Sequence, residues 1–291
     1  MIRSLGAAVC LILAVTLQVW RDRAFPRADP GTQQLLYVRS SEALKRIVLG
    51  FDALAADLYW IRAIQQYGGD RLDAGKARRY ELLYPLLDLA TALDPYFNIA
   101  YRFGAIFLSE APPGGPGRPE HAVALLRKGI AAQPGKWQYY HDIAFVHYWS
   151  LRDPVAAAAW FRRAAAQPGA PNWLLPVAAA MLTRGSDRTS SRFLWQQMLS
   201  ADQEWMRRRA EHALMQLDTL DQIDQLEAFI ASVPRRPGEP YTWFSLARAG
   251  LRRVPEDPSG TPYELDPATG RVTVSRSSLL FPLPEPMDAK R

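Results

Sequence analysis

Cysteine is nearly absent from this chain: Cys10 is the only one in 291 residues. A lone cysteine makes no intramolecular disulfide and excludes cysteine-based zinc spacings, so cysteine usage leaves the redox compartment open. Histidine is scarce as well, with four residues, His121, His141, His147 and His212. No His-Glu-x-x-His pair links them, and His141 and His147, six apart, do not share a helix face. Gly-x-Ser-x-Gly is missing, as is any Gly-Lys-Ser/Thr that would let the proline- and glycine-rich loop 111–119 cradle a phosphate. These absences leave no basis for catalysis, and neither a cofactor nor a metal is expected. Asp142 beside His141 reads as a surface pair on a helix rather than an acid–base couple.

Lysine is the third scarcity, 5 against 30 arginines in a chain of net charge +6. The arginines fall in short groups such as Arg78-Arg79, Arg207-Arg208-Arg209, Arg235-Arg236 and Arg252-Arg253, with acids between. That spread suits solvated helix faces and helix C-termini, and nucleic acid is not an expected partner. The one long uncharged run is residues 5–20, from Leu5 through Leu11 and Leu13 to Trp20. A helix of that run is ~24 Å long at ~1.5 Å per residue, a little short of a ~30 Å hydrocarbon core. No Ala-x-Ala site closes it, so residues 1–23 read as an uncleaved signal anchor. Cys10 lies inside the run with Ala7 three positions before it, which does not fit a lipoprotein signal. Arg21, Arg23 and Arg27 outnumber Arg3 and favour a cytoplasmic domain by the positive-inside rule. The signal-peptide-like layout at the extreme N-terminus favours export instead, and the expectation is a single-pass inner-membrane protein with its soluble domain facing the periplasm.

What the chain has in quantity is helical periodicity. Between Pro134 and Pro168, Trp137, Tyr140, Ile143, Ala144, His147 and Tyr148 recur at steps of three and four. Asp153-Pro154 then starts a second helix through Ala157, Trp160, Phe161 and Ala164. Upstream, HAVALLRKGIAAQP (121–134) aligns with AAAAWFRRAAAQP (156–168), and YRFGAIFL (101–108) with DIAFVHYW (142–149). Pro95, Pro134 and Pro168 close successive units, and Trp173 stands 36 residues after Trp137. Neither helix of such a hairpin buries its apolar face alone, so stacked neighbours are required.

These residues resemble the tetratricopeptide repeat, a helical hairpin of ~34 residues with a large residue and Gly/Ala in the first helix, Ala and an aromatic in the second, and a closing proline. Phe103-Gly104 with Ala122, Gly129 and Pro134 match one unit, and Ile143-Ala144 with Ala157, Phe161, Ala164 and Pro168 match another. The likeness covers roughly residues 50–235 and implies an all-α solenoid of antiparallel helix pairs. Together with FDALAADLYWIRAIQQYGG (51–69) and the segment from Tyr80, it resembles a bacterial membrane-linked group of such proteins to which no defined activity attaches.

The resulting organisation is a membrane segment (1–23), a linker (24–41), a helical repeat domain (42–235) and a C-terminal helix, hairpin and tail (236–291). In the linker, LLYVRS (35–40) reads as a short strand or covering loop, and Ser40 or Ser41 as the cap of a first helix ending near Leu49. Leu54, Leu58, Ile61 and Ile64 then mark the apolar side of a helix that Gly68-Gly69 would end. Loop 111–119 reads as a tolerated insertion, and 183–193 as a polar turn before a helix at 193–201. Residues 202–217 and 220–233 are expected as a capping helix pair, followed by a last helix from Thr242 to Leu251. Tyr263, Leu265, Val272 and Val274 alternate around Asp266–Gly270, a β-hairpin pattern. Asp257, Pro258, Gly260, Pro262 and Tyr263 resemble a local motif near the end of type II secretion pseudopilins.

In tetratricopeptide superhelices the first helix of each repeat lines a concave groove. With Gly104, Ala144 and Ala180 equivalent, the resemblance implies groove positions at Asn98, Tyr101, Arg102, Gln138, His141, Asp142, Phe145, Tyr148, Trp149, Leu174, Val177, Met181 and Arg184. Aromatics with a few polar groups suit an extended peptide or a partner helix. Asn98 and Arg102 supply only part of the family's two-carboxylate clamp. The expected function is a membrane-tethered, non-catalytic adaptor holding a protein or peptide partner in envelope transport, secretion or pilus assembly. The alternatives are an exported structural subunit whose own tail fills the groove, and an enzyme or small-ligand protein with an unrecognised site. The oligomeric state is left open.

Overall fold

The structure, a computed structural model, describes residues 13–20, 40–72, 80–234, 239–251 and 253–287. The chain divides into two compact units, Met1–Ala55 and Ala56–Arg291. In the first, residues 13–20 form a helix, α1, on which Leu13 and Trp20 are exposed. Leu5, Leu11 and Cys10 lie outside the described residues, as do residues 24–39 of the linker expected at 24–41, which include Leu35–Arg39. Among the described residues no helix is long and apolar enough to cross a membrane. Ser40 caps α2 (Ser41–Ile47), its hydroxyl accepting from the Ala43 amide at 3.2 Å. Helix α3 (Asp52–Leu72) runs on into the second unit.

The second unit is almost entirely helical. It continues with α4 (Leu83–Leu93), α5 (Asn98–Ser109), α6 (Pro119–Ala132), α7 (Trp137–Trp149), α8 (Pro154–Ala165), α9 (Leu174–Arg184), α10 (Arg188–Met198), α11 (Glu204–Ser232) and α12 (Trp243–Arg248). From α4 to α11 each helix packs on the next, and α4 also meets α6, α5 meets α7 and α9 meets α11. The composition permits this closeness. Ala144, Ala157, Ala158, Ala164, Ala178 and Ala179 are all fully buried, and Phe161, Leu174 and Trp195 fill the spaces between them. Starts are written locally: Asp153 accepts from the Ala156 amide at 2.9 Å with Pro154 in the first turn, and Asp187 accepts from Ser190 at 3.0 Å.

Four sequence expectations need correction. Helix α3 turns Leu54, Leu58, Ile61 and Ile64 outward and buries Ala55, Ala56, Tyr59, Ala63 and Tyr67 instead. Rings decide the rotation: Tyr67 stacks on Phe107 with centroids 4.3 Å apart, and Trp60 stacks on the same ring at 6.0 Å. The helix also continues through Gly68-Gly69, because Asp70 accepts from Gln66 at 2.7 Å and from the Tyr80 amide at 3.0 Å. Helix α10 begins five residues before Phe193, under the Asp187 cap, so most of the expected polar turn is helical. Residues 204–232 form one 29-residue helix, not a pair. Neither Gly nor Pro falls between Leu217 and Leu220, and Thr219 returns its hydroxyl to the Met215 carbonyl at 2.8 Å.

Downstream of α11, β1 (Glu264–Leu265) and β2 (Val272–Thr273) pair antiparallel, with Leu265 opposite Val272, as the alternation predicts. Tyr263 and Val272 pack with Ile230 of α11 and Leu246 of α12. Asp257 organises the loop before the hairpin, accepting from Ser278, from the Ser259 hydroxyl at 2.7 Å and from the Thr261 amide at 3.1 Å. The tail then follows α11. Gln216 Nε2 donates to the Leu280 and Pro282 carbonyls, both at 3.0 Å, and the Met287 amide reaches the Arg184 carbonyl at the end of α9, at 2.9 Å.

Burial writes one pH dependence into the packed helices. His147 on α7 has a pKa below its ordinary value of about 6.5, first because burial disfavours the cation and secondarily because Arg127 repels it, against the opposing pull of Asp153. The unfolded chain therefore takes up this proton first as pH falls through about 6.5, and stability present above that pH declines below it. A His147→Gln variant is expected to lose less melting temperature than the parent between pH 7.5 and pH 5.5; equal losses would assign the slope to other groups.

Candidate functional site

A cleft of ≈ 750 Å³ opens between the C-terminal halves of α5 and α7. One wall carries Arg102, Ala105, Ile106 and Ser109 of α5, the other His141, Asp142, Phe145, Val146 and Trp149 of α7, with Ser150 and Arg152 just beyond. The loop Glu110–Pro119 closes one end. Periodicity explains the two helical walls. Ala105 and Ile106 follow Gly104 on α5 as Phe145 and Val146 follow Ala144 on α7.

The polar side of the cleft is an ion pair between the helices. Arg102 donates to both oxygens of Asp142, from Nε to Oδ2 at 2.5 Å and from Nη2 to Oδ1 at 3.2 Å. These hydrogen bonds outweigh partial burial and raise the guanidinium pKa further. His141 Nδ1 lies 2.9 Å from Asp142 Oδ1, while its ring stands edge-on to Trp137, Phe161 and Trp173 at centroid distances of 6.0, 5.6 and 5.7 Å. The apolar side is a ridge of two rings. Phe145 and Trp149 stack at 6.1 Å with an interplanar angle of 9°, and they are 50% and 62% exposed, which leaves apolar ring surface open to an incoming group.

Loop 110–119 is a built wall, not slack chain. Glu110 accepts from Tyr67 and from Arg71 Nη1 at 2.9 Å, and Tyr80 donates to the Gly114 carbonyl at 2.9 Å. Burial, then the neighbouring carboxylate, pushes the Tyr67 hydroxyl up to about 12, so it remains a donor across the ordinary pH range. The glycines are needed for this close folding: a Cβ on Gly115 would come within 2.6 Å of the Glu110 carbonyl oxygen, and Gly117 takes φ +61°. Sequence reading of this loop as a tolerated insertion missed its partners, which lie 34 and 43 residues away at Tyr80 and Tyr67.

Of the expected groove residues, Arg102, His141, Asp142, Phe145 and Trp149 come together here. Tyr101 does not. It is fully buried, its ring 5.4 Å from that of Tyr139 and its hydroxyl 3.3 Å from the Thr91 carbonyl. Gly129 makes that room, since a Cβ there would stand 3.1 Å from the Tyr101 ring. Leu174 is likewise core, and Val177, Met181 and Tyr148 lean on the same core from its edge. Tyr148 accepts from Arg184, one helix beyond the cleft. Gln138 is half-buried outside the cleft lining. Asn98 Oδ1 accepts from Tyr139 at 2.5 Å and from Gln133 at 3.1 Å. Both candidate clamp residues are thus tied into the fold, Asn98 through Oδ1 and Arg102 through Nε and Nη2. Among the described residues no group of three or more His, Cys, Asp or Glu is placed to hold a metal ion.

Among the described residues, the hairpin and the tail line no part of this cleft. No family model, curated protein or solved structure matches the chain.

Proposed function

We propose that the chain is a membrane-tethered, non-catalytic adaptor that holds a protein partner in the cleft between α5 and α7. On this reading the helix pairs form a tetratricopeptide-like solenoid, residues 1–23 anchor it, and the helical domain faces the periplasm. The observation that carries it is the open ridge of Phe145 and Trp149 beside the Arg102–Asp142 pair, in a cleft of ≈ 750 Å³. Large rigid rings bury much area for little lost rotamer freedom, and they dominate interfaces when flanked by polar groups. The packing of each helix from α4 to α11 on the next supports the solenoid, and the repeated small residues at Gly104, Ala144 and Ala180 support its register.

The test places a photo-crosslinking residue at Phe145 or, as a control, at exposed Phe193 of α10, in the full chain in spheroplasts of a Gram-negative host. A discrete product from position 145 alone, lost with Trp149→Ala, and digestion of the domain by external protease are the expected results. Equal products from both positions would sink the adaptor reading, and protection from the protease would reverse the orientation.

The tail favours a second reading, an exported structural subunit that fills its own groove. Gln216 and the end of α9 already hold residues 280–287. The two readings part at α7, because among the described residues no tail residue lines the cleft beyond Arg184.

A further inference from the structure

Helices α6, α8 and α10 are entered in the same way. Each follows a single residue in the left-handed region, Gly117 at φ +61°, Arg152 at φ +53° and Ser186 at φ +61°, and the next residue, Arg118, Asp153 or Asp187, stands at the N-cap. The amide of that next residue reaches back to the helix before, to the Leu108 carbonyl at 2.7 Å, to His147 at 2.9 Å and to Leu182 at 2.9 Å. The turn therefore calls for positive φ at one position. Glycine meets it without steric cost, serine is small, and a long side chain works against the backbone. Arg152 is the bulky member of the set, and it lines the cleft.

Every other polar side chain of that lining is engaged within the fold. Arg102 and His141 are both held by Asp142, and Glu110 accepts from Tyr67 and Arg71. Ser109 donates to the Ile106 carbonyl and Ser150 to that of Ser109, both at 3.3 Å. Asp153, next to Arg152 in the chain, turns its carboxylate to the Ala156 amide. The Arg152 guanidinium, in contrast, has neither a hydrogen bond nor an ion pair among the described residues. Because Ser150 meets Ser109 where the loop Glu110–Pro119 begins, this charge stands at the closed end of the cleft. The walls leading to it are apolar and open, with Ile106, Phe145 and Trp149 all exposed by half or more. An uncompensated cation at the end of an apolar trough is complementary to an anion carried on an apolar body.

We infer that Arg152 receives a carboxylate side chain of the partner, so that the cleft selects a peptide segment in which Asp or Glu stands near large apolar residues. The inference rests on the adaptor reading and names its ligand class. Ile106, Phe145 and Trp149 take the apolar side chains, and the planar guanidinium takes both oxygens of the acid. A basic segment meets like charge at the same place. The left-handed backbone at Arg152 is then strain kept at a binding surface, where glycine would suit the turn better.

The experiment selects from a phage-displayed library of random heptapeptides on the immobilised full chain in detergent micelles, and in parallel on Arg152→Glu. Enriched peptides are expected to pair Asp or Glu with aromatic or branched aliphatic residues, and those from the charge-reversed protein to carry Lys or Arg in place of the acid. The most enriched peptide, fluorescein-labelled and read by anisotropy, is expected to bind Arg152→Gly about tenfold more weakly. The melting temperature of that variant is expected to rise by about 2–4 °C, because glycine relieves the turn. Arg152 is exposed, so both variants keep the fold, which far-UV circular dichroism checks. Acid-free peptides, the same peptides from Arg152→Glu, no enrichment at all, or a lowered melting temperature in Arg152→Gly would overturn the inference. Any of these while Phe145 still crosslinks a discrete product removes the ligand class and leaves the adaptor. Loss of that product as well removes the adaptor.

Discussion

Trp195→Ala is expected to lower the unfolding free energy by about 3–5 kcal/mol, the largest effect of any single truncation discussed for this chain. Trp195 is 2% exposed and belongs to the core that also takes Leu182, Leu194, Met198, Met206 and Ala210. Its neighbours come from three successive helices, α9, α10 and α11, so no single rotamer change can refill the space. Urea unfolding followed by circular dichroism measures the loss. Because most contacts from α4 to α11 join neighbouring helices, the variant's α9–α11 region is expected to melt before the rest and to split the transition in two. A shift below about 1 kcal/mol would mean that α10 contributes little to the cooperative core.

Gly104→Leu is expected to rank second, at about 1–3 kcal/mol or somewhat more, and to disable the cleft as well. A Cβ alone at this position would stand 2.9 Å from Leu125 Cδ2 and 2.9 Å from Leu87 Cδ2, so α5 is already in contact with α4 and α6. Gly104→Ala is the instructive contrast. The atoms it meets are the ends of flexible leucines, and a helix-interior glycine gives up about 1 kcal/mol of propensity relative to alanine. The two terms oppose each other, and Ala is expected to be close to neutral. Leucine has no such compensation and must push the helices apart. Ala105 and Ile106 ride on the same helix and line the cleft, so crosslinking from Phe145 is expected to fall with stability in the Leu variant and to persist in the Ala variant. Retained crosslinking in a destabilised Leu variant would separate the cleft from the packing of α5.

The centre of the chain was legible because its packing rule is local. Ala157, Phe161 and Ala164 recur at helical spacing, and all three are buried as the spacing requires. Five cleft residues follow from the same register. The errors share a cause, which is that size and hydrophobicity do not say which face of a helix is shared. On α3 the large aliphatics Leu54 and Leu58 look like a core stripe, but alanines and tyrosines pack inward because Phe107 supplies a ring to stack on. Tyr101 occupies an apparent groove position but turns inward, where Gly129, 28 residues later, leaves space for its ring. The wall of loop 110–119 was hidden for a similar reason. Nothing local to its prolines and glycines announces that Tyr67, Arg71 and Tyr80 hold it. On α11 the acids around the expected break are held by the helix before it, where Arg188 and Arg192 of α10 face Asp218, Asp221 and Asp224.

The bonds from α11 to the tail set an order of events during synthesis. Most helix contacts from α4 to α10 join near neighbours in the chain and form as each helix emerges. Gln216, in contrast, waits for carbonyls 64 and 66 residues later, and His212 for one 67 residues later. Until those residues are made, α11 presents an unpaired amide and the apolar seat of Leu280 to its surroundings. The last stage of folding therefore has the highest contact order in the domain and the greatest exposure to misassociation.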